Sequence, residues 1–257
     1  MVDVRQKRRP DAPGAEAARR LGDLRARPNV RWLSQLLGRP ASEVLDVLSE
    51  SSSFADVDRA IRQRHLERGR TNYAQFRAPL ELYTLVRFVR PDHVVETGVS
   101  SGVSSAHILL ALRRNRKGRL HSIDLPTPQR GPTLRTGETP VALPIGCHSG
   151  WAVPEALRVG WDLRIGPSEK LLPRLVRSLS SIGLFLHDSR HTPRHLAFEL
   201  ATVAPRLAPG AIVLADNTMW TGQAFPQFAR KVGATVLRRG RSDLVGLRMP
   251  ESRGSAN

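Results

Sequence analysis

The spacing of apolar residues changes character near residue 91. Before it, Leu33, Leu36 and Leu37, then Val44, Leu45, Val47 and Leu48, recur at helical intervals. That pattern predicts two short amphipathic helices after Trp32. Ser42 and Glu43 just after Pro40 mark a helix start. A Ser51-Ser52-Ser53 break precedes a further helix over about 56–68, and Leu80, Leu82, Leu85 and Val86 predict another over 79–90. From Pro91 onward, expected strands alternate with expected helices, as in a parallel α/β sheet. The expected strands are 93–97, 120–124, 161–165, 182–187 and 211–215, with shorter ones at 234–237 and 244–248. Expected helices fill 102–115, 154–159, 169–178, 193–207 and 225–231, and Ala208-Pro209-Gly210 reads as the turn into the fifth strand.

This division predicts a tail over 1–28, a helical N-terminal cap over 29–90, an α/β domain over 91–250 and a flexible end over 251–257. Residues 1–28 are rich in Arg, Ala, Pro and Gly, a composition with little to bury. Pro126–Gly150 is too long and too rich in Pro, Gly and Thr for a plain connection, and reads as an active-site lid.

Composition narrows the classes. Hydrophobic content of 40% without an apolar run near the ~20 residues of a membrane span predicts a chain with no membrane partner. The charged N-terminal ten residues lack a following apolar stretch, so no export signal is expected and the location reads as cytoplasmic. One cysteine, Cys147, excludes an internal disulfide and any multi-cysteine metal site. A net charge of +17 admits a polyanion such as nucleic acid. Yet the arginines are scattered and few aromatics interleave them, so nucleic acid is the less favoured partner. Homo-oligomerisation stays open.

In open α/β sheets, ligands bind at the carboxyl ends of the strands. The first expected strand runs into Glu96-Thr97-Gly98-Val99-Ser100-Ser101-Gly102, a glycine-spaced turn opening a helix. Gly98 permits the turn, Gly102 permits close approach of a ligand or of the sheet, and the serines surround a helix start that attracts anions. Glu96 adds a carboxylate suited to an amino group. Together these point to a ligand bearing both an amino group and a carboxylate, as S-adenosylmethionine does. The second strand ends at Asp124, suited to a ribose diol, and the third at Ser168, suited to an adenine edge or to capping the next helix. His187 and His195 read as structural.

The fourth and fifth strands end at Asp188 and at Asp216-Asn217. Three hard oxygen ligands from neighbouring strands suit Mg²⁺ or another divalent cation. His191, three residues after Asp188, is placed to act as a general base, the alternative being that it or Asp188 caps the helix beginning at Pro193.

With those residues in view, about residues 80–250 resemble class I S-adenosylmethionine-dependent methyltransferases. The closer resemblance is to metal-dependent O-methyltransferases that act on small molecules. It implies a Rossmann-like, mostly parallel seven-stranded sheet with helices on both faces. It implies a cofactor site of Glu96, Thr97, Gly98, Ser100, Ser101, Gly102, Asp124, Ser168 and Asp188. The segment Val213-Leu214-Ala215-Asp216-Asn217 is similar to the metal-binding strand end of catechol-type enzymes, and Asp188 and Asp216 stand 28 positions apart, close to that family's spacing. His191 takes the place of the catechol-type lysine, as in the macrolide-sugar enzymes. Those enzymes carry two acids where this chain has Asp216-Asn217, which leaves the acceptor open. The activity implied is methyl transfer to a small-molecule hydroxyl. The alternatives are an RNA-directed enzyme using the basic surface and a non-catalytic protein on the same scaffold. A short-chain dehydrogenase is disfavoured, since neither Tyr73 nor Tyr83 has a lysine four residues on.

Overall fold

The computed structural model describes residues 29–50, 52–68, 76–126 and 143–251. The expected tail over 1–28, most of the expected lid and residues 252–257 lie outside the described residues. Seven strands form one sheet in the order β3-β2-β1-β4-β5-β7-β6. They are β1 (His93–Thr97), β2 (Arg119–Asp124), β3 (Trp161–Ile165), β4 (Ile182–His187), β5 (Leu207–Ala215), β6 (Leu237–Arg238) and β7 (Val245–Arg248). The first five pair in parallel, while β7 runs antiparallel to both β5 and β6. Strand order reverses between β1 and β4, so the crevice for a ligand opens where those two strands end.

Alternation along each strand splits the core into two layers. Val94, Leu120, Leu184, Ile212 and Leu214 face one side. There they meet α1 (Val30–Leu37), α4 (Pro79–Val89) and α5 (Val103–Asn115). Val95, Ile123, Phe185, Val213 and Ala215 face the other, under α6 (Ser168–Ser178), α7 (Pro193–Val203) and α8 (Ala224–Val232). Both faces of the central strands are therefore covered, which explains their continuous apolar runs.

The N-terminal helices α1, α2 (Ala41–Ser49) and α3 (Ser52–Glu67) share the first of these cores. Asn29 caps α1 by accepting from the Trp32 backbone N–H at 2.9 Å, and Gly38 closes the helix in the left-handed region. Trp32, Leu33, Leu36 and Leu37 are buried, each worth roughly 1.5–3 kcal/mol. Trp32 Nε1 donates to the Leu237 carbonyl at 3.0 Å, and Arg248 donates to the Leu37 carbonyl at 2.7 Å. The cap is thus stitched to the antiparallel edge of the sheet.

Three expectations need correction. The helix over 154–159 is a single 3-10 turn, Glu155–Leu157; Gly160, in the left-handed region at φ +82°, turns the chain into β3 at Trp161 and leaves no room for a second turn. The fifth strand begins at Leu207, so Ala208-Pro209-Gly210 lies within it, not before it. Leu207 pairs with Ile182, and the register then shifts before Leu184 pairs with Ile212. Gly210, at φ +70°, absorbs that irregularity. The sixth strand is confined to Leu237–Arg238, leaving 234–236 out of the sheet. No helix among the described residues is long and apolar enough to cross a membrane.

Candidate active site

The turn after β1 is held against two neighbours. The Gly98 N–H donates to the Ile123 carbonyl at 2.9 Å, and the Asp188 N–H donates to the Thr97 carbonyl at 2.8 Å. A Cβ on Gly98, at φ +86°, would lie 2.0 Å from the Asp188 carbonyl oxygen, so this glycine allows the loop and the end of β4 to touch. Gly102, at φ +91°, opens α5, and a Cβ there would lie 2.4 Å from Val153 Cγ2. What approaches Gly102 is the chain's own segment 149–153. That segment lies along the loop: Gly150 N–H donates to the Ser100 carbonyl at 2.8 Å, and Ala152 N–H to the Ser101 carbonyl at 3.0 Å. The Ser100 and Ser101 hydroxyl oxygens are buried with no hydrogen-bond partner among the described residues.

Glu96 departs from its expected role. Its side chain is fully buried, and Ser104, Ser105 and Ser122 all donate their hydroxyls to it, the latter two at 2.7 Å. Burial raises its pKa to about 7 against the opposing pull of those hydroxyls. The residue faces the packed interior beneath α5 because strand alternation directs it there, and its hydrogen-bond partners are these three hydroxyls. Thr97 is similarly occupied: its hydroxyl donates to Glu199 at 2.7 Å.

Asp124 ends β2 with 9% of its surface accessible. Its Oδ1 accepts from the Val99 N–H at 3.1 Å and its Oδ2 from the Ser149 hydroxyl. Ser168 opens α6, but its hydroxyl lies 3.1 Å from His195 Nε2, and the side chain is buried. Its hydrogen bond runs to α7 and not to an open adenine pocket.

At the ends of β4 and β5 the expected groups do converge. Asp188 Oδ1 lies 3.5 Å from His191 Nε2, and Trp220 packs beside the His191 ring at 5.9 Å between centroids. Burial, then the neighbouring Asp188 charge, raises Asp216 to about 6. The Asn217 N–H donates to Asp216 Oδ1 at 2.9 Å, and Asn217 sits in the left-handed region at φ +50°. The helix cap is Thr192, whose hydroxyl accepts from the His195 N–H at 3.3 Å. Neither Asp188 nor His191 does that work. Among the described residues no three His, Cys, Asp or Glu side chains gather as a metal would require. Asp188 and Asp216 nonetheless bring two carboxylates close enough for the charge of one to raise the pKa of the other, a repulsion that a divalent cation would relieve.

Sequence reasoning passed over Glu199. Fully buried on α7, it accepts from Thr97, from His187 Nδ1 at 2.6 Å, from Ser189 at 3.1 Å and from His195 Nε2 at 2.9 Å. Burial alone would push its pKa up, but the two imidazoles outweigh that and hold it well below the usual carboxylate range. The available signal was its spacing: His195 and Glu199 are one helical turn apart, facing the end of β4. Trp151 lines a cavity of about 360 Å³ between α3 and residues 146–151, together with Arg64, Arg68, Cys147 and His148.

The unpaired Ser100 and Ser101 hydroxyls, the glycine turn and the Asp124 carboxylate fit a ligand that carries both a carboxylate and a diol. Residues 95–218 match the family model described as a methyltransferase domain. Over that span, a little under half of the chain, the protein is similar to methyltransferase domains. Its solved structural neighbours include the O-methyltransferase TomG from Streptomyces achromogenes, involved in tomaymycin synthesis and in complex with S-adenosylmethionine. That likeness has a TM-score of 0.51 at 18% identity, covering 76% of this chain and 89% of TomG. An O-methyltransferase from Bacillus cereus, in complex with S-adenosylhomocysteine, is similar with a TM-score of 0.51 at 13% identity, covering 86% of this chain and 96% of its own. The S-adenosylhomocysteine-bound methyltransferase PaMTH1 from Podospora anserina is similar with a TM-score of 0.50 at 15% identity, covering 77% and 88%. No curated protein matches the chain at the level of sequence.

Proposed function

We propose that this protein methylates a hydroxyl of a small-molecule acceptor. The observation that carries the reading is the convergence of Asp188, Asp216 and His191 beside the glycine loop, at the crevice between β1 and β4. S-adenosylmethionine supplies a methyl group on a sulfonium sulfur, which passes to the acceptor oxygen and leaves S-adenosylhomocysteine. Asp124, Ser100 and Ser101 bind the cofactor, and Gly98 and Gly102 let their loop sit against the end of β4 and the segment 149–153. His191 takes the hydroxyl proton on a ring nitrogen, and the Asp188 carboxylate beside it stabilises the imidazolium that results. Trp220 packs against the His191 ring beside that proton. Asp188 and Asp216, with Asn217, would hold a divalent cation, whose positive charge lowers the pKa of a bound hydroxyl.

Five exposed cations, Arg113, Arg114, Arg116, Lys117 and Arg119, lie where α5 gives way to β2, at the opposite end of the sheet from the strand ends that form the site, although Arg190 beside Asp188 is exposed as well. Calorimetry with S-adenosylhomocysteine, with and without Mg²⁺, is the test. Micromolar binding that survives chelator, with a separate Mg²⁺ signal lost in Asp216→Ala, is expected. Absence of S-adenosylhomocysteine binding would sink the proposal. Once a hydroxyl panel yields turnover, His191→Ala should lower it by roughly 10²–10⁴-fold; an unchanged rate removes His191 from the chemistry.

A further inference from the structure

The cofactor site inferred above has a second wall, and it is built from the chain's own segment Ser149–Val153. This segment is clamped from both sides. Arg64 on α3 donates to the Trp151 and Val153 carbonyls at 3.1 and 3.0 Å. Arg158 donates to the Val153 carbonyl at 3.2 Å and to the Gly150 carbonyl at 3.4 Å. Two backbone hydrogen bonds fasten the segment to Ser100 and Ser101. Gly150 is packed so tightly that a Cβ would lie 2.2 Å from Trp161 Cη2. Ser149 sits at the head of this frame, 1% exposed, with its hydroxyl donated to Asp124 Oδ2.

The consequence for Asp124 is geometric. A carboxylate free at a strand end rotates about its terminal torsion, which is soft and broad. Here the Val99 N–H holds one oxygen and Ser149 holds the other, so the carboxylate plane is set. Each oxygen has two lone pairs, and one on each remains. Two acceptor positions in a fixed plane are what a vicinal diol needs for its paired hydroxyls. Holding them in advance removes an ordering cost from binding.

We propose that Ser149 is a positioning residue of the cofactor site, orienting Asp124 to receive the ribose diol of S-adenosylmethionine. This rests on the methyltransferase reading. The experiment is a double-mutant cycle on binding alone, in the full-length chain, with S-adenosylhomocysteine as the calorimetric probe and thermal midpoints to confirm folding. Ser149→Ala is expected to weaken binding by about 5–20-fold and Asp124→Asn by about 10–100-fold, as the loss of one to two hydrogen bonds implies. The decisive arm is the double variant. If Ser149 acts through Asp124, Ser149→Ala costs less than about twofold once Asp124 is already Asn. Equal weakening in both backgrounds, or a Ser149→Ala protein that binds as well as wild type or better, overturns the proposal while leaving the methyltransferase reading intact. A folded wild-type protein that does not bind S-adenosylhomocysteine overturns both.

Discussion

Two glutamates, Glu96 and Glu199, lie under the carboxyl end of the same sheet, both fully buried, and their surroundings drive them in opposite directions. Glu96 faces α5 and is met by three serine hydroxyls, and burial wins: its pKa rises to about 7. Glu199 reaches the opposite face from α7 and is met by two imidazoles and two hydroxyls, and the imidazoles win: its pKa falls. Hydroxyls satisfy lone pairs without adding charge, whereas an imidazole can hold a proton beside the carboxylate. One glutamate is therefore tuned toward the neutral form and the other kept ionised. The ionised one underpins the strand end that carries Asp188 and His191.

The comparison can be broken most severely at Glu199. Glu199→Ala leaves His187, His195, Ser189 and Thr97 without their common acceptor, and should cost about 3–5 kcal/mol of stability. Urea denaturation at constant pH measures it; a loss below about 1 kcal/mol would show that the network is replaceable. The pH dependence of stability comes next. Glu96, with its pKa raised from 4.5 to about 7, contributes stability that is present below pH 4.5 and lost as pH rises to 7, on the order of 3 kcal/mol. Glu199, with its pKa lowered, contributes the reverse: stability present above pH 4.5 and lost as the solution becomes more acid. Glu96→Gln should flatten the loss between pH 4.5 and 7 while leaving the acid limb in place. Thermal midpoints across that range decide it, and an unchanged slope would assign the pH dependence elsewhere. The smallest expected effect is at Ser104. Ser104→Ala removes one donor to Glu96, should cost about 1 kcal/mol, and should shift the loss of stability to higher pH. A shift to lower pH would contradict the ordering of forces at Glu96.

Much of this architecture is legible along the chain. The strands from 93 to 187 and the glycine turn follow from short apolar runs and from glycine spacing, because a central strand covered on both faces is apolar over most of its length. The convergence of Asp188, Asp216 and His191 was also readable, since consecutive parallel strands deliver their carboxyl ends to one edge. The helix expected at 154–159 failed because local composition does not register that Gly160 turns the chain into β3 there. Ser168 was read from its position after β3, yet its partner is His195, brought to it by the packing of α7 on α6.

By itself, then, the sequence determined which residues end strands and which side of the sheet each neighbour faces, because both follow from a period of two and from local backbone preference. The tertiary structure alone decided what those residues touch. Glu96 became a buried, hydroxyl-bound carboxylate, Glu199 an ionised anchor and Ser149 the partner of Asp124. Apart from His195, one turn from Glu199 on the same helix, the partners lie 8 to 102 positions away along the chain. The physical reason is that charge state and hydrogen bonding in a desolvated interior depend on which groups arrive there, and distant elements deliver them only when the layers close.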